Sequence, residues 1–580
     1  MRFLAVLFIA AAVICNAADL APVRAMHDDI WKRFIDKHGI MLDYVNADGT
    51  VSLPTPEECA SNMPNALGWW SPIENGAFFT GLYLAGICRR YALTGNPDDA
   101  AKAKRLANGL LALAQKTTTP GFIGRGFATD GNAHFPVTSS DQIAPWFFGL
   151  WTYARSGIPS AAERNAVIAL MTRTAEALRQ SQWQMPCEPS MAAGSTYGTW
   201  NWKDFRSVPR LLFACRALYE LTSDAVWYER YTNAAFATPF RSTVSRLELC
   251  ARGMAWDVNG EDPALRENSW IYVVSQAQVR ALLDMETDET IRGFYRRSLT
   301  ATAEAALPLV YDYEDFEYHP VNTDWRTLLH KWKAHTTPKE AESIAQKQLI
   351  DWASVGRMHE TRLLREPMSA AWIVMLSGDM RLIARMKLPF ERALTFFDYQ
   401  RLSSPVYFMG ECAYYEMLAG GYGTIAADPI PVRPVAENDT VSAKKAAGWI
   451  GLKIGAVTPA MKRCSDKFPI TVSPESFSGG TYVSVNRGFA TVPLIPYTIV
   501  VRTNAVVYLV VHESGKPSIP AEWKKSALSL RWSPTPSAAV TDTVYERRAG
   551  AGSEITIPSH DGKGEISYGI PHLCVVVPVQ

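Results

Sequence analysis

Apolar residues recur at helical spacing in five stretches of the chain: Phe78–Tyr91, Ile143–Tyr153, Leu211–Leu221, Ile271–Leu283 and Ala371–Leu376. They carry apolar side chains on nearly every face, which predicts helices buried inside a core. After each comes a short junction joining a helix stop to an N-cap: Leu93-Thr94-Gly95-Asn96-Pro97, Ser156-Gly157-Ile158-Pro159, Leu221-Thr222-Ser223-Asp224, Glu286-Thr287-Asp288 and Leu376-Ser377-Gly378-Asp379. A charged, Ala- and Arg-rich segment follows every junction, over Ala100–Gln115, Ala161–Gln182, Tyr228–Thr243, Thr290–Ala306 and Arg381–Phe396. The repeating unit is buried helix, tight turn, amphipathic helix, long loop. Buried helices are expected to start near Glu74, Asp141, Asp204, Asn268, Glu366 and Glu411. Six such hairpins predict a mainly α fold, an (α/α)6 barrel over residues 18–424, with the buried helices aiming their N-termini at one mouth.

The period changes after Gly421. Pro429, Pro431 and Pro434 mark residues 425–447 as a linker. Beyond it, short alternating runs such as Tyr482–Val485, Tyr497–Arg502, Ala505–His512, Leu528–Trp532, Thr541–Arg547, Glu554–Ile557 and Leu573–Val577 predict an antiparallel β-sandwich over 448–580. At the other end, Arg2, the apolar run Phe3 to Cys15 and the small residues Cys15 and Ala17 have the form of a signal peptide over 1–17. That run is shorter than the roughly 20 residues a membrane span needs. The expectation is an exported protein without a membrane span.

Composition narrows the chemistry. Basic and acidic residues nearly cancel, 58 against 57, so no surface is basic enough to announce nucleic acid as a partner. The 18 tryptophans are more than core filling needs, and flat apolar faces with an N–H donor suit a sugar cleft. The cysteines show no CxxC and no Cys/His cluster at zinc spacing, and Cys88 and Cys215 fall on buried helical faces as free thiols. The acidic loop Asp312, Glu314, Asp315 and Glu317 lacks the spacing and glycine of a calcium loop. No metal and no cofactor are expected.

Chemistry-bearing residues concentrate in the long loops that precede the buried helices, where a rigid scaffold places function. One loop holds Trp69-Trp70-Ser71-Pro72-Ile73-Glu74-Asn75, and the next holds Gly124-Arg125-Gly126-Phe127, Asp130, His134 and Ser139-Ser140-Asp141-Gln142. Further along come Trp200, Trp202 and Asp204, then Asn268 and Trp270, then His359 and Glu360. Aromatic planes for pyranose faces, bidentate donors for hydroxyls and uronate, and carboxyls for proton transfer make a sugar site. Asp141, Glu74 and Asp130 are the catalytic candidates. Asn75, Arg125, His134, Gln142, Trp200, Trp202, Asp204, Asn268, Trp270, His359 and Glu360 are candidates for binding substrate.

The run Trp70-Ser71-Pro72-Ile73-Glu74-Asn75-Gly76-Ala77-Phe78-Phe79-Thr80-Gly81-Leu82-Tyr83-Leu84, followed by Tyr91-Ala92-Leu93-Thr94-Gly95-Asn96, resembles the first hairpin of the six-hairpin glycosidases. In pattern it is most similar to the unsaturated glucuronyl and unsaturated rhamnogalacturonyl hydrolases. The likeness extends through Gly126-Phe127 to Asp141 and covers about residues 69–155. It implies that Asp141 is the general acid and base that hydrates a C4=C5 double bond in a uronic-acid sugar. The family's other aspartate precedes Gly-Phe, where this chain has Arg125, and Asp130 is the nearest substitute. Ordinary glycoside hydrolysis by Asp141 with Glu74 or Glu360 suits the same scaffold. Two further readings stand beside these: a polysaccharide lyase of the helical-toroid type using Tyr197, His134 and Arg125, and a carbohydrate-binding barrel without turnover. The expected partner in every case is an oligosaccharide or polysaccharide, uronic-acid-containing for the enzymes.

Overall fold

The computed structural model describes residues 20–261, 268–310, 318, 321–354, 357–428, 439–443, 450–459, 461–463, 469–486, 497–512, 519–535, 538–558 and 572–579. The expected signal peptide, the acidic loop at 312–317 and most of the expected linker lie outside these residues. The chain divides into two compact units, one dominated by residues 20–428 and one by 429–580.

The first unit is helical. Its helices are α1 (Ala21–Asp29), α2 (Pro56–Ala60), α3 (Gly76–Thr94), α4 (Pro97–Gln115), α5 (Ser140–Arg155), α6 (Ala161–Gln180), α7 (Val208–Thr222) and α8 (Ala225–Phe236). They continue as α9 (Arg246–Trp256), α10 (Val273–Met285), α11 (Glu289–Ala306), α12 (Pro338–Ser354), α13 (Arg357–Ser377), α14 (Met380–Phe396) and α15 (Phe408–Ala419). The junctions act as their residues dictate. Gly95 ends α3 in the left-handed region at φ 63°, and the Asn96 side chain then accepts from the N–H of Asp98 to start α4. Asp224, Asp288 and Asp379 cap α8, α11 and α14 in the same way.

Helix α3 is buried along almost its whole length, as its all-round apolar surface requires. It crosses α5 so closely that a Cβ on Gly81 would lie 2.3 Å from the Pro145 carbonyl oxygen, so only glycine fits there. The buried helices then touch in succession. Phe148 of α5 packs on Phe213 of α7 at 5.7 Å, and α7 packs on α10. Gln276 of α10 donates to the Ile373 carbonyl of α13 at 3.2 Å. Met368 of α13 fills the space over Gly410 of α15. Tyr83 of α3 donates to Glu411 of α15 at 3.0 Å. The structure departs from the expected helices in several places, and α13 begins at Arg357, well before Glu366. The helix expected over Tyr228–Thr243 stops at Phe236, where Ala237 turns extended. The helix expected from Ile271 opens with a 3-10 turn, Ser269–Tyr272. Helices α9 and α12 add to the repeat.

The second unit is antiparallel β. Its strands are β3 (Val441–Ala443) to β12 (Leu573–Pro578), after a two-stranded ribbon β1 (Gln184–Pro186) and β2 (Thr196–Thr199) in the helical unit. One sheet has the order β4-β6-β12-β8-β10-β9-β5, running through Ile450–Ala456, Thr481–Asn486, Leu573–Pro578, Ala505–Val511, Ala538–Ala549, Lys524–Thr535 and Ile470–Val472. A three-stranded sheet pairs β11 (Glu554–Ile557), β7 (Tyr497–Val501) and β3. Alternate residues Val507, Leu509, Cys574 and Val576 of the larger sheet share one core with Ile499, Val501, Ile555 and Ile557 of the smaller. Tyr508, Val510, Trp532 and Val575 form a second core on the opposite face.

Candidate functional site

Asp141 is the second residue of α5, in the first turn of a helix whose N-cap position is Ser139. Its carboxylate is not a cap: Oδ1 lies 2.8 Å from Nη2 of Arg210, in the first turn of α7. The arginine side chain is fully buried, and the aspartate side chain is 41% exposed. None of the Arg210 nitrogens, Nη2 included, has a hydrogen-bond partner among the described residues, so the contact with Asp141 is an ion pair alone. Burial would raise the Asp141 carboxyl, yet the Arg210 and Arg206 guanidiniums, with Arg125 behind them, hold it below its ordinary value. Arg206 in turn donates to Asp204 at 3.1 Å, and Asp204 accepts from the N–H of Ser207 at 2.8 Å, which fixes the loop leading into α7.

A second corner forms at the start of α3. Glu74 accepts from the backbone N–H of Trp70 at 2.8 Å. Trp70 is held at φ 75°, a conformation costly for a bulky residue, while its indole donates to the Ala345 carbonyl and its own carbonyl accepts from Tyr44. Asp43, from the segment before α2, clamps Asn75 with both oxygens, taking its backbone N–H and its side-chain amide at 2.7 Å each. The Asn75 carbonyl oxygen accepts from Gln142 at 3.2 Å, and the Gln142 oxygen accepts from the N–H of Phe78 at 3.1 Å. This amide chain ties the α3 corner to the residue following Asp141. Arg125, 2% exposed, donates to the carbonyls of Val137 and Glu74 at 2.9 Å each. Burial raises the Glu74 carboxyl despite Arg125, Asn75 and Arg365. Burial, and then the neighbouring Glu74 charge, push Asp43 well above the aspartate range.

The structure therefore brings together Asp141, Gln142, Glu74, Asn75 and Arg125. Trp270 joins the rim, its ring 5.1 Å from Phe78 and 4.3 Å from the Arg365 guanidinium, with Asn268 half-buried just before it. Tyr197 and Trp69 pack on one apolar cluster that includes Val137. Several residues stand elsewhere. Asp130 is exposed and accepts from the N–H groups of Asn132 and Ala133 in a local turn, because Asp closes such turns readily. His134 faces Glu188 at 3.7 Å, a contact that outweighs burial and raises its pKa. Glu360 is buried and accepts from the N–H groups of Ser403 and Ser404 at 2.8 Å. Trp200 is fully buried, stacked against Trp183 at 6.0 Å, and offers no face to a ligand. Trp202 lies beside Phe240, and Arg125 sits behind Glu74 instead of facing solvent. His359 belongs to α13, and its side chain lies outside the described residues.

Asp43 was not among the sequence candidates. Its one signal is a lone carboxylate in the apolar run Ile40-Met41-Leu42-Asp43-Tyr44-Val45, all of whose other members are buried. Asp257 was also missed. It is fully buried, accepts from the N–H of Phe205 at 3.0 Å, and is pushed up to about 7 by burial and by Asp204. Among the described residues, no group of three His, Cys, Asp or Glu is arranged to hold a metal. No helix among them is long and apolar enough to cross a membrane.

No known family and no curated protein matches the chain. Solved structures match it distantly. An endoglucanase, CelQ from Clostridium thermocellum complexed with cellotriose, is 10% identical at a TM-score of 0.29 over 87% of this chain and 83% of that one. A beta-glucuronidase from glycoside hydrolase family 2 is 13% identical at 0.20 over 27% of this chain, which spans 17% of that enzyme's length. A GH138 enzyme targeting pectin rhamnogalacturonan II is 9% identical at 0.15 over 66% of this chain and 57% of that one. All three carry glycoside hydrolase names, and at these scores the likeness carries no argument about this chain.

Proposed function

We propose that the chain is a glycoside hydrolase acting on uronic-acid-containing oligosaccharides, with Glu74 as general acid and Asp141 as the ionised partner. One observation carries this reading. Two carboxyls at the N-termini of neighbouring buried helices, linked through Asn75 and Gln142, are pushed in opposite directions, Glu74 up by burial and Asp141 down by Arg210 and Arg206. Separated pKa values of this kind assign acid and base roles to a pair of carboxyls. Glu74 would protonate the leaving glycosidic oxygen as its bond to the anomeric carbon breaks. Asp141 would activate water or attack that carbon itself. The chemistry requires no cofactor. Guanidiniums around Asp141 favour an anionic sugar, which supports the uronic-acid reading. The succession of contacts among α3, α5, α7, α10, α13 and α15 supports an (α/α)6 barrel as the scaffold.

Hydration of an unsaturated uronyl residue asks one aspartate to give a proton first, and the cations holding Asp141 ionised oppose that. A lyase using Tyr197 needs an accessible phenolate, and burial and Glu342 push that phenol up. The test is a panel of saturated and unsaturated glucuronides, followed by reducing-end release and by absorbance of the C4=C5 bond. Reducing-end release from saturated substrates is expected. Glu74→Gln should slow substrates with poor leaving groups by on the order of 10²–10⁴ and activated aryl glycosides far less. Loss of absorbance alone would replace this reading with hydration, a rise on intact polysaccharide with a lyase, and binding without turnover with a carbohydrate-binding module.

A further inference from the structure

We propose that Arg365, set against the Trp270 indole, is the residue that recognises the acidic sugar, its guanidinium taking the C5 carboxylate of the pyranose whose glycosidic bond is cleaved. The inference rests on the hydrolase reading and names the side chain that makes it specific for uronic acids. Helix α13 is buried at every residue from Glu366 to Leu376, and Arg365 stands at the edge of that stretch with 17% of its side chain exposed. Trp270, partly exposed, comes from the 3-10 turn Ser269–Tyr272 that opens α10. Its ring lies 4.3 Å from the Arg365 guanidinium and 5.1 Å from the ring of Phe78. Phe78 belongs to the first turn of α3, just after Glu74 and Asn75, and donates its N–H to Gln142, the residue that follows Asp141. Ring contact thus joins Arg365 and Trp270 to the corner that carries both carboxyls.

The guanidinium is anchored on one side and open on another. Arg365 donates Nε to Glu366 Oε1 at 3.0 Å and keeps Nη2 2.9 Å from the same oxygen, while Glu366 Oε2 accepts from Ser269 at 3.0 Å. Glu366 is fully buried, so this hold is rigid. Nη1 has no hydrogen bond among the described residues. A guanidinium fixed in this way, with an aromatic ring against it, forms strong charge-assisted hydrogen bonds to a carboxylate. The other guanidiniums around the two carboxyls are less available. Arg125 is 2% exposed and gives Nε and Nη1 to backbone carbonyls, and Arg210 is fully buried. Arg206 donates to Asp204 and stands on the Asp141 side, where a sugar carboxylate meets two negative charges. Arg365 acts on Glu74, which on the hydrolase reading carries the proton, and the one carboxylate beside it is already matched. In a pyranose the carbons bearing the C5 carboxylate and the glycosidic oxygen share the ring oxygen. A cation beside the acid that protonates the glycosidic oxygen is therefore placed for the carboxylate of the cleaved ring.

Calorimetric titration of the full chain with phenyl thioglucuronide and phenyl thioglucoside, both anomers of each, tests this without turnover, because the sulfur linkage resists hydrolysis. The wild type should bind the thioglucuronide more tightly. Arg365→Met should weaken thioglucuronide binding by about 10–100-fold and leave thioglucoside binding unchanged. Arg365→Lys keeps the charge and loses the planar fork, so its affinity for the thioglucuronide should fall between the two, and it decides the question if Arg365→Met does not fold. Three results overturn the proposal: equal binding of the two glycosides by the wild type, equal loss of both in the Arg365 variants, and a preference kept there but lost in Arg206→Met. If the wild type cleaves no glycoside, the hydrolase reading fails while the binding preference still decides whether Arg365 recognises the carboxylate.

Discussion

Each unit of the molecule buries an arginine against an aspartate, and the two pairs are finished differently. In the β unit, Arg463 and Asp542 are both fully buried, Arg463 also donates to the Val510 carbonyl at 3.1 Å, and His512 meets the other Asp542 oxygen at 3.2 Å. In the helical unit, Arg210 is equally buried, but Asp141 leaves part of its carboxylate open and Arg210 keeps donors without acceptors among the described residues. A closed pair holds a fold together, since removing one partner strands a buried charge. An open pair holds a carboxylate ionised and presents it to something else. On the proposed reading, the contrast is between a pair kept for structure and a carboxylate kept for chemistry.

The sharpest way to break that contrast is the same substitution at both places. Asp141→Asn is expected to lower kcat by on the order of 10³ or more while folding survives, because water reaches the site. Asp542→Asn should do the reverse, destabilising the β unit by about 3–5 kcal/mol with turnover per folded molecule unchanged. Steady-state kinetics and thermal melts on both variants decide it. Equal loss of activity, or equal loss of stability, would erase the distinction.

A second fully buried aspartate sharpens it. Asp257 forms no ion pair among the described residues and is pushed from the ordinary 3.8 up to about 7 by burial and by Asp204, against the nearby Arg206 charge. Its pKa is higher folded than unfolded, so between about pH 4 and pH 7 the native state binds the extra proton and the protein loses stability as pH rises. A shift of that size corresponds to roughly 4 kcal/mol across the window. Asp257→Asn still accepts from Phe205 and carries no charge, so its melting temperature should stay level across that range while the wild type falls. A wild-type melting temperature that rises through the same window would contradict this.

The fold was far more legible in the chain than the site, for a physical reason. Junctions are local: Asn96, Asp224, Asp288 and Asp379 cap the helix beginning at the next residue, and a cap is written within four residues. Strands with strict alternation, such as Glu554–Ile557, are equally plain, whereas Val441–Ala443 and Ile470–Val472 are too short to show a period. Site partners are set by tertiary contact. Asp43 meets Asn75 across 32 positions and Asp141 meets Arg210 from another hairpin, so neither spacing is a motif. Proximity along the chain to Gly126-Phe127 favours Asp130 as the second carboxyl, but a tight turn takes that side chain into solvent. Aromatic content told sugar surface from core no better: Trp200 and Trp202 are two residues apart, and only Trp202 keeps an accessible ring.

That last difference carries the smallest expected effect. Trp202 sits in the loop that also holds Asp204 and Arg206, its ring 5.5 Å from Phe240, which is 55% exposed. The Arg241 guanidinium lies 5.6 Å and 5.2 Å from the two rings, and the N–H of Phe240 donates to the Asn201 carbonyl at 3.1 Å, which fastens the aromatic pair to the loop. A flat, partly wet face on the same loop as a guanidinium facing Asp141 suits a pyranose ring remote from the cleaved bond. Stacking of this kind is worth about 0.5–1.5 kcal/mol, so Trp202→Ala should raise KM for long oligosaccharides by about 2–10-fold and leave kcat on a short aryl glycoside unchanged. Equal changes on long and short substrates would place Trp202 with Trp200, as packing for the loop that carries Arg206.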